Sequence, residues 1–161
     1  MSEDLLIDLD NGEAVKLLGL RDQNLGLFAK NFGVHLILKD EGLLVTGQSP
    51  NRELAKNLIE QILEIIRAGY SPNHEELKYM IKNYKLNKTD HRVFFKEEII
   101  VTPRGKKIYP KTAGQHRYLQ AIKNNDLVFG IGPAGTGKTY LAVAMAVKAL
   151  KEKQIAKLIL T

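Results

Sequence analysis

Residues 132–139 read Gly-Pro-Ala-Gly-Thr-Gly-Lys-Thr, and no other stretch constrains the fold as much. Three glycines and a proline in six positions exclude a regular helix or strand there. The flanks are opposite in character. Leu127-Val128-Phe129-Gly130-Ile131 is a short apolar run, the pattern of a strand buried in a parallel sheet. Tyr140 to Lys151 is rich in alanine and leucine with neither glycine nor proline, which predicts a strong helix. Ile155 to Leu160 predicts a further strand. Strand, glycine loop, helix and strand in that order imply the opening β-α-β of an α/β domain.

The eight residues match GxxxxGK[ST] in full, the Walker A phosphate loop, in the context its chemistry requires. Gly132, Gly135 and Gly137 let the backbone wrap closely around an anion, with Pro133, Ala134 and Thr136 completing the loop. Its N–H groups and the start of the following helix then point at phosphate. Lys138 is expected to reach the β and γ phosphates, and the Thr139 hydroxyl to ligate Mg²⁺. The expected ligand is a nucleotide, ATP with Mg²⁺. Seventeen positions before Gly132 stands Gln115, in Lys111-Thr112-Ala113-Gly114-Gln115 at the head of a predicted helix through Leu119 to Ile122. A glutamine similarly placed in superfamily-one-like helicases reads the adenine edge, which suits an amide that both donates and accepts.

Charge divides the chain. Residues 1–75 carry 7 Lys+Arg against 12 Asp+Glu, and residues 76–161 carry 17 against 6. Arg67-Ala68-Gly69-Tyr70-Ser71-Pro72 marks the boundary. Before it, a strand at 5–9, a short helix at 13–18, a turn at Gly19-Leu20-Arg21-Asp22 and a helix from Gln23 to Phe32 are expected. Strands at 34–38 and 43–46 follow, then a long helix from Ser49-Pro50 with Leu54, Leu58, Ile62 and Ile65 on one stripe. This β-α-α-β-β-α order resembles a KH-type RNA-binding module, whose GXXG loop clamps a nucleic-acid backbone. Here Asp22 replaces the second glycine, and a carboxylate there opposes phosphate.

From Lys78 to Arg117 there are 11 Lys+Arg and 3 Asp+Glu, the densest positive stretch. It holds a predicted helix at 74–84 and a hairpin, 98–102 and 106–109, turning at Pro103-Arg104-Gly105. Arg104, Lys106 and Lys107 at that turn are candidate contacts for single-stranded RNA. Tyr84, Phe94, Phe95 and Tyr109 are either stacking platforms or the small core such a hairpin needs. No cysteine is present, which removes disulfides and thiolate metal sites and suits a reducing cytoplasm; the four histidines share no ligand-like spacing. No apolar run approaches membrane-spanning length, and the acidic N-terminus is unlike a signal peptide.

The stretch TPRGKKIYPKTAGQ, followed by DLVFGIGPAGTGKTYLAVAMAV and LILT, resembles the PhoH family of ATPases over essentially all 161 residues. The resemblance implies a KH-like α+β module at 1–69, a basic helix and hairpin connector at 70–110, and the beginning of a RecA-like P-loop ATPase domain at 111–161. It implies a cytoplasmic ATPase linked to RNA metabolism, open to homo-oligomers. It also implies that the strand after the Walker A helix does not pair directly with the strand before it. A Walker B carboxylate is missing: after Thr139 the only acidic residue is Glu152. The expectation is therefore an N-terminal portion of such a protein, which binds ATP without hydrolysing it. Two alternatives stay open, an RNA-binding KH-like protein with a nucleotide switch and a P-loop small-molecule kinase.

Overall fold

A computed structural model describes residues 4–161. It is α+β, with two small sheets among many helices, and divides into two compact units, one ending at Arg92 and the other running from Val93 to Thr161.

In the first unit the order is β1 (Leu5–Ile7), α1 (Asn11–Leu18), a 3-10 turn (Leu20–Asp22), α2 (Leu25–Phe32), β2 (Val34–Lys39), β3 (Gly42–Gly47), α3 (Asn51–Arg67) and α4 (His74–Asn87). The sheet is antiparallel with β3 in the centre, Leu5 opposite Val45 on one side and Leu36 opposite Val45 on the other. Gly42 opens β3 where the chains crowd: a Cβ there would lie 2.3 Å from the Ile7 carbonyl oxygen, so only glycine fits. Helix α3 carries the largest buried face, with Leu58, Ile59, Ile62, Leu63, Ile65 and Ile66 packed on the sheet and on α1 and α2. Leu17, Phe28 and Val45 complete that core.

Helix starts are fixed by local chemistry. Asp10 and Glu13 form a reciprocal capping box on α1, and Asn73 and Glu76 do the same on α4. The Gly19–Asp22 turn holds Arg21 and Asp22 in the left-handed region, at φ 53° and 55°. Behind it, buried Asn24 donates to the Leu17 carbonyl at 2.9 Å, and its Oδ1 lies 2.7 Å from His74 Nδ1.

A four-residue helical turn, α5 (Arg92–Phe95), spans the boundary between units. The second unit continues with β4 (Ile100–Val101), β5 (Lys107–Ile108), α6 (Ala113–Asn124) and α7 (Lys138–Lys151). The basic stretch is thus shared: α4 belongs to the first unit and the hairpin to the second. β4 and β5 pair antiparallel, Ile100 opposite Ile108. Ile99, Ile108, Leu119, Leu141 and Ala144 form a small core that joins the hairpin to α6 and α7. Phe95 packs on Tyr109 and Phe94 on His116, ring centroids 5.9 and 5.8 Å apart, so these aromatics serve as core.

Two sequence expectations need correction. Residues 127–131 and 155–160 run outside any helix or strand, and the β-α-β reduces to its central helix and loop. A parallel strand needs hydrogen-bonded neighbours on its edges and cover on its faces. These segments have neither here, and Leu127, Phe129 and Ile131 are 74%, 80% and 95% exposed.

Candidate functional site

The site is a cleft of about 330 Å³ in the second unit, where the 132–139 loop faces the N-terminal end of α6. The loop supplies Gly132, Pro133, Thr136 and Lys138; Thr112, Gly114, Gln115 and Tyr118 come from the head of α6, and Phe129 to Ile131 from the preceding segment.

Loop shape follows from its composition. Gly135 and Gly137 sit at φ 75° and 83°, a region that costs an ordinary residue about 1–2 kcal/mol. Gly137 is the N-cap of α7, and no side chain caps the helix. Leu141 N–H donates to the Gly137 carbonyl at 2.9 Å, so the N–H groups of Lys138, Thr139 and Tyr140 lie ahead of the first intrahelical bond. The positive end of a fourteen-residue helix is therefore left for a partner outside the helix.

Lys138 folds back over the loop. Its ammonium donates to the carbonyls of Gly132 at 2.9 Å and Pro133 at 2.7 Å, with Thr136 Oγ1 at 3.3 Å. Thr136 Oγ1 in turn donates to the Pro133 carbonyl at 3.0 Å. Neutral carbonyls are weaker partners for an ammonium than phosphate oxygens, so this arrangement suits exchange for an anion. Pro133, Ala134 and Gly135 form the exposed tip, and Thr139 is exposed in the first turn of α7.

The structure brings Gln115 to the loop. Its Nε2 donates to the Thr136 carbonyl at 3.2 Å, and its Oε1 accepts from the Lys111 N–H at 2.7 Å. Thr112 caps α6 by accepting the Gln115 N–H at 3.1 Å. Tyr118, unremarked in the sequence, stands one turn after Gln115 on the same face; a Cβ on Gly130 would lie 3.2 Å from its ring. The i, i+3 spacing was the available signal. Glu97 had none, yet it anchors α6: its carboxylate pairs with Lys123, accepts from Gln120 at 2.9 Å and lies 3.8 Å from His116.

Arg104 and Lys106 are exposed at the hairpin turn. Lys107 pairs with Glu98 at 3.3 Å, which holds its ammonium above the ordinary lysine range.

Among the described residues, no helix is long and apolar enough to cross a membrane. No solved structure matches the chain. A family model described as PhoH-like protein matches residues 107–161, which include α6, the loop and α7. A PhoH-like protein of Bacillus subtilis (strain 168) is 43% identical over 150 residues, 92% of this chain and 47% of that protein. One from Mycobacterium tuberculosis (strain H37Rv) is 37% identical over 155 residues, 96% of this chain and 44% of that protein. Protein PhoH of Escherichia coli (strain K12) is 39% identical over 54 residues, 34% of this chain. The chain thus spans somewhat less than half the length of the relatives it matches nearly throughout. With the match centred on the very segment that builds the cleft, the chain belongs to the PhoH-like protein family.

Proposed function

We propose that this chain binds a nucleoside triphosphate, ATP with Mg²⁺, at the 132–139 loop, as the nucleotide-binding part of a PhoH-type ATPase. The observation that carries this reading is the loop itself. An uncapped helix N-terminus, two left-handed glycines and a lysine ammonium occur together in the 132–139 segment, and each is a device for holding phosphate. Lys138 and the N–H groups at the start of α7 would hold the phosphates, and the Thr139 hydroxyl would be the protein's ligand to Mg²⁺. The metal, when bound, would offset charge on the phosphate oxygens.

Hydrolysis needs in addition a carboxylate that fixes the metal and orients water. After Thr139 the sequence offers only Glu152, at the far end of α7. To the residues from Gly132 to Thr139 we assign the binding step.

The test compares wild type with Lys138→Ala by calorimetry in MgATP. Loss of a charge-assisted contact worth roughly 1.5–3 kcal/mol should weaken binding about ten- to a hundredfold. Unchanged affinity would refute the assignment.

A second activity, RNA binding, is favoured by the exposed Arg104 and Lys106 at the hairpin turn. The β-α-α-β-β-α order and antiparallel sheet of the first unit support a KH-like module. Its Gly19–Asp22 turn presents a carboxylate, however, so we place the main RNA contact on the hairpin.

A further inference from the structure

Gln115 sits in the cleft in a way that separates two roles an amide can play there. A base-reading glutamine offers its donor and acceptor to a ligand. Here one lone pair and one N–H of the amide serve the chain's own backbone: Oε1 accepts from the Lys111 N–H at 2.7 Å and Nε2 donates to the Thr136 carbonyl at 3.2 Å. The side chain is a strap between the segment that enters α6 and the loop that enters α7.

What the strap grips matters. Thr136 and Gly137 share one peptide plane, and in a trans peptide the C=O and the N–H point in opposite directions. Holding the Thr136 carbonyl toward Gln115 therefore turns the Gly137 N–H away from it. Gly137 lies at φ 83°, ψ 13°, a conformation with few intrinsic restraints in glycine, so this plane would otherwise rotate easily. Contact is close as well: a Cβ on Gly137 would come within 3.3 Å of Gln115 Nε2. At its other end Gln115 is fixed by α6, whose N-cap Thr112 accepts its main-chain N–H and whose far end is clamped by Glu97.

We infer that Gln115 is a positioning residue for the phosphate loop: it orients the Thr136–Gly137 peptide and acts on the phosphate end of the ligand, leaving the base unread. This inference rests on the proposed nucleotide site and deepens it. The ligand class it implies is a triphosphate chain, with Gln115 contributing equally whichever base, or none, is attached.

Two readouts on the full chain test it, with Gln115→Ala and Gln115→Glu. Both variants lose the donor to Thr136; the glutamate keeps the acceptor for Lys111 but adds a negative charge, so exchange is read on both variants and the calorimetric factor on Gln115→Ala. Amide hydrogen exchange without ligand should rise about three- to tenfold at residues 136–138, with residues 144–150 of α7 unchanged. Calorimetry with MgATP, MgGTP and inorganic tripolyphosphate should show all three weakened by a common factor of similar size. Loss confined to ATP would overturn the inference in favour of a base reader, as would unaltered exchange at 136–138. If wild type binds none of the three probes, the nucleotide reading itself has failed, and the exchange result alone then decides whether Gln115 orders the loop.

Discussion

Leu119→Ala tests whether the small core of the second unit is what holds the cleft together. Leu119 is fully buried among Ile99, Ile108, Leu141 and Ala144, beneath the helix that carries Thr112, Gln115 and Tyr118. Truncation removes three carbons from water-free surroundings, about 2–2.5 kcal/mol of transfer free energy at ~0.8 kcal/mol per carbon. If half of the vacated space stays empty, a cavity term near 1 kcal/mol adds to this, for a total of about 3–4 kcal/mol. A unit of this size has roughly 3–10 kcal/mol of stability, so the variant loses a large part of it. The assay is native-state hydrogen exchange, read separately on α3, α6 and α7. Protection of α6 and α7 should fall at least a hundredfold while α3, in the other unit, keeps its rates. A fall of less than tenfold on α6, or an equal fall on α3, would refute the reasoning.

Three further outcomes are expected. Arg67 bonds both oxygens of Glu13 and the Asp8 carbonyl, which holds the Glu13 carboxyl below its ordinary value of 4.5. A depressed carboxyl stabilises the fold above the unfolded value and stops doing so as pH falls through the folded one. Arg67→Ala should therefore cost about 0.5–1 kcal/mol in urea unfolding at pH 7, and progressively less as pH falls through the folded value of Glu13. Gly137→Ala places a Cβ at φ 83° and against Gln115, so MgATP affinity should fall at least about tenfold by calorimetry, with α3 protection unchanged. Replacing Arg104, Lys106 and Lys107 by alanine should weaken single-stranded RNA binding and flatten its log–log salt dependence by about 0.7 per lost contact, whereas Asp22→Gly should strengthen it. Binding that survives the triple change and is lost on altering Arg21 would move the site to the Gly19–Asp22 turn.

Local patterns were the legible part of this chain. The stripe on α3, the glycine after α2 and the Pro103–Gly105 turn each record a neighbour a few residues away, and the elements formed where those signals lie. The capping boxes of Asp10 with Glu13 and Asn73 with Glu76 are written in the sequence but were not read there, and α1 begins two residues before the expected Glu13. Failure came where structure depends on distant partners. The runs at 127–131 and 155–160 have strand composition, but composition cannot supply the neighbouring strands that turn it into a sheet. Glu97 illustrates the same limit within the site. Its three partners on α6 lie at least nineteen residues away, and nothing in its own surroundings marks it as their anchor. Gln115 was visible as a residue, but its hold on the Thr136 carbonyl is seen only in the folded loop.

The central claim is that the loop from Gly132 to Thr139 is where a nucleoside triphosphate binds. Amide chemical-shift mapping by NMR during a MgATP titration tests it most directly, because it reports every residue at once. The account predicts saturable shifts at Gly135, Gly137, Lys138 and Thr139, weaker ones at Gln115 and Tyr118, and none on α3. Shifts absent from the loop, or concentrated in the first unit, would contradict it.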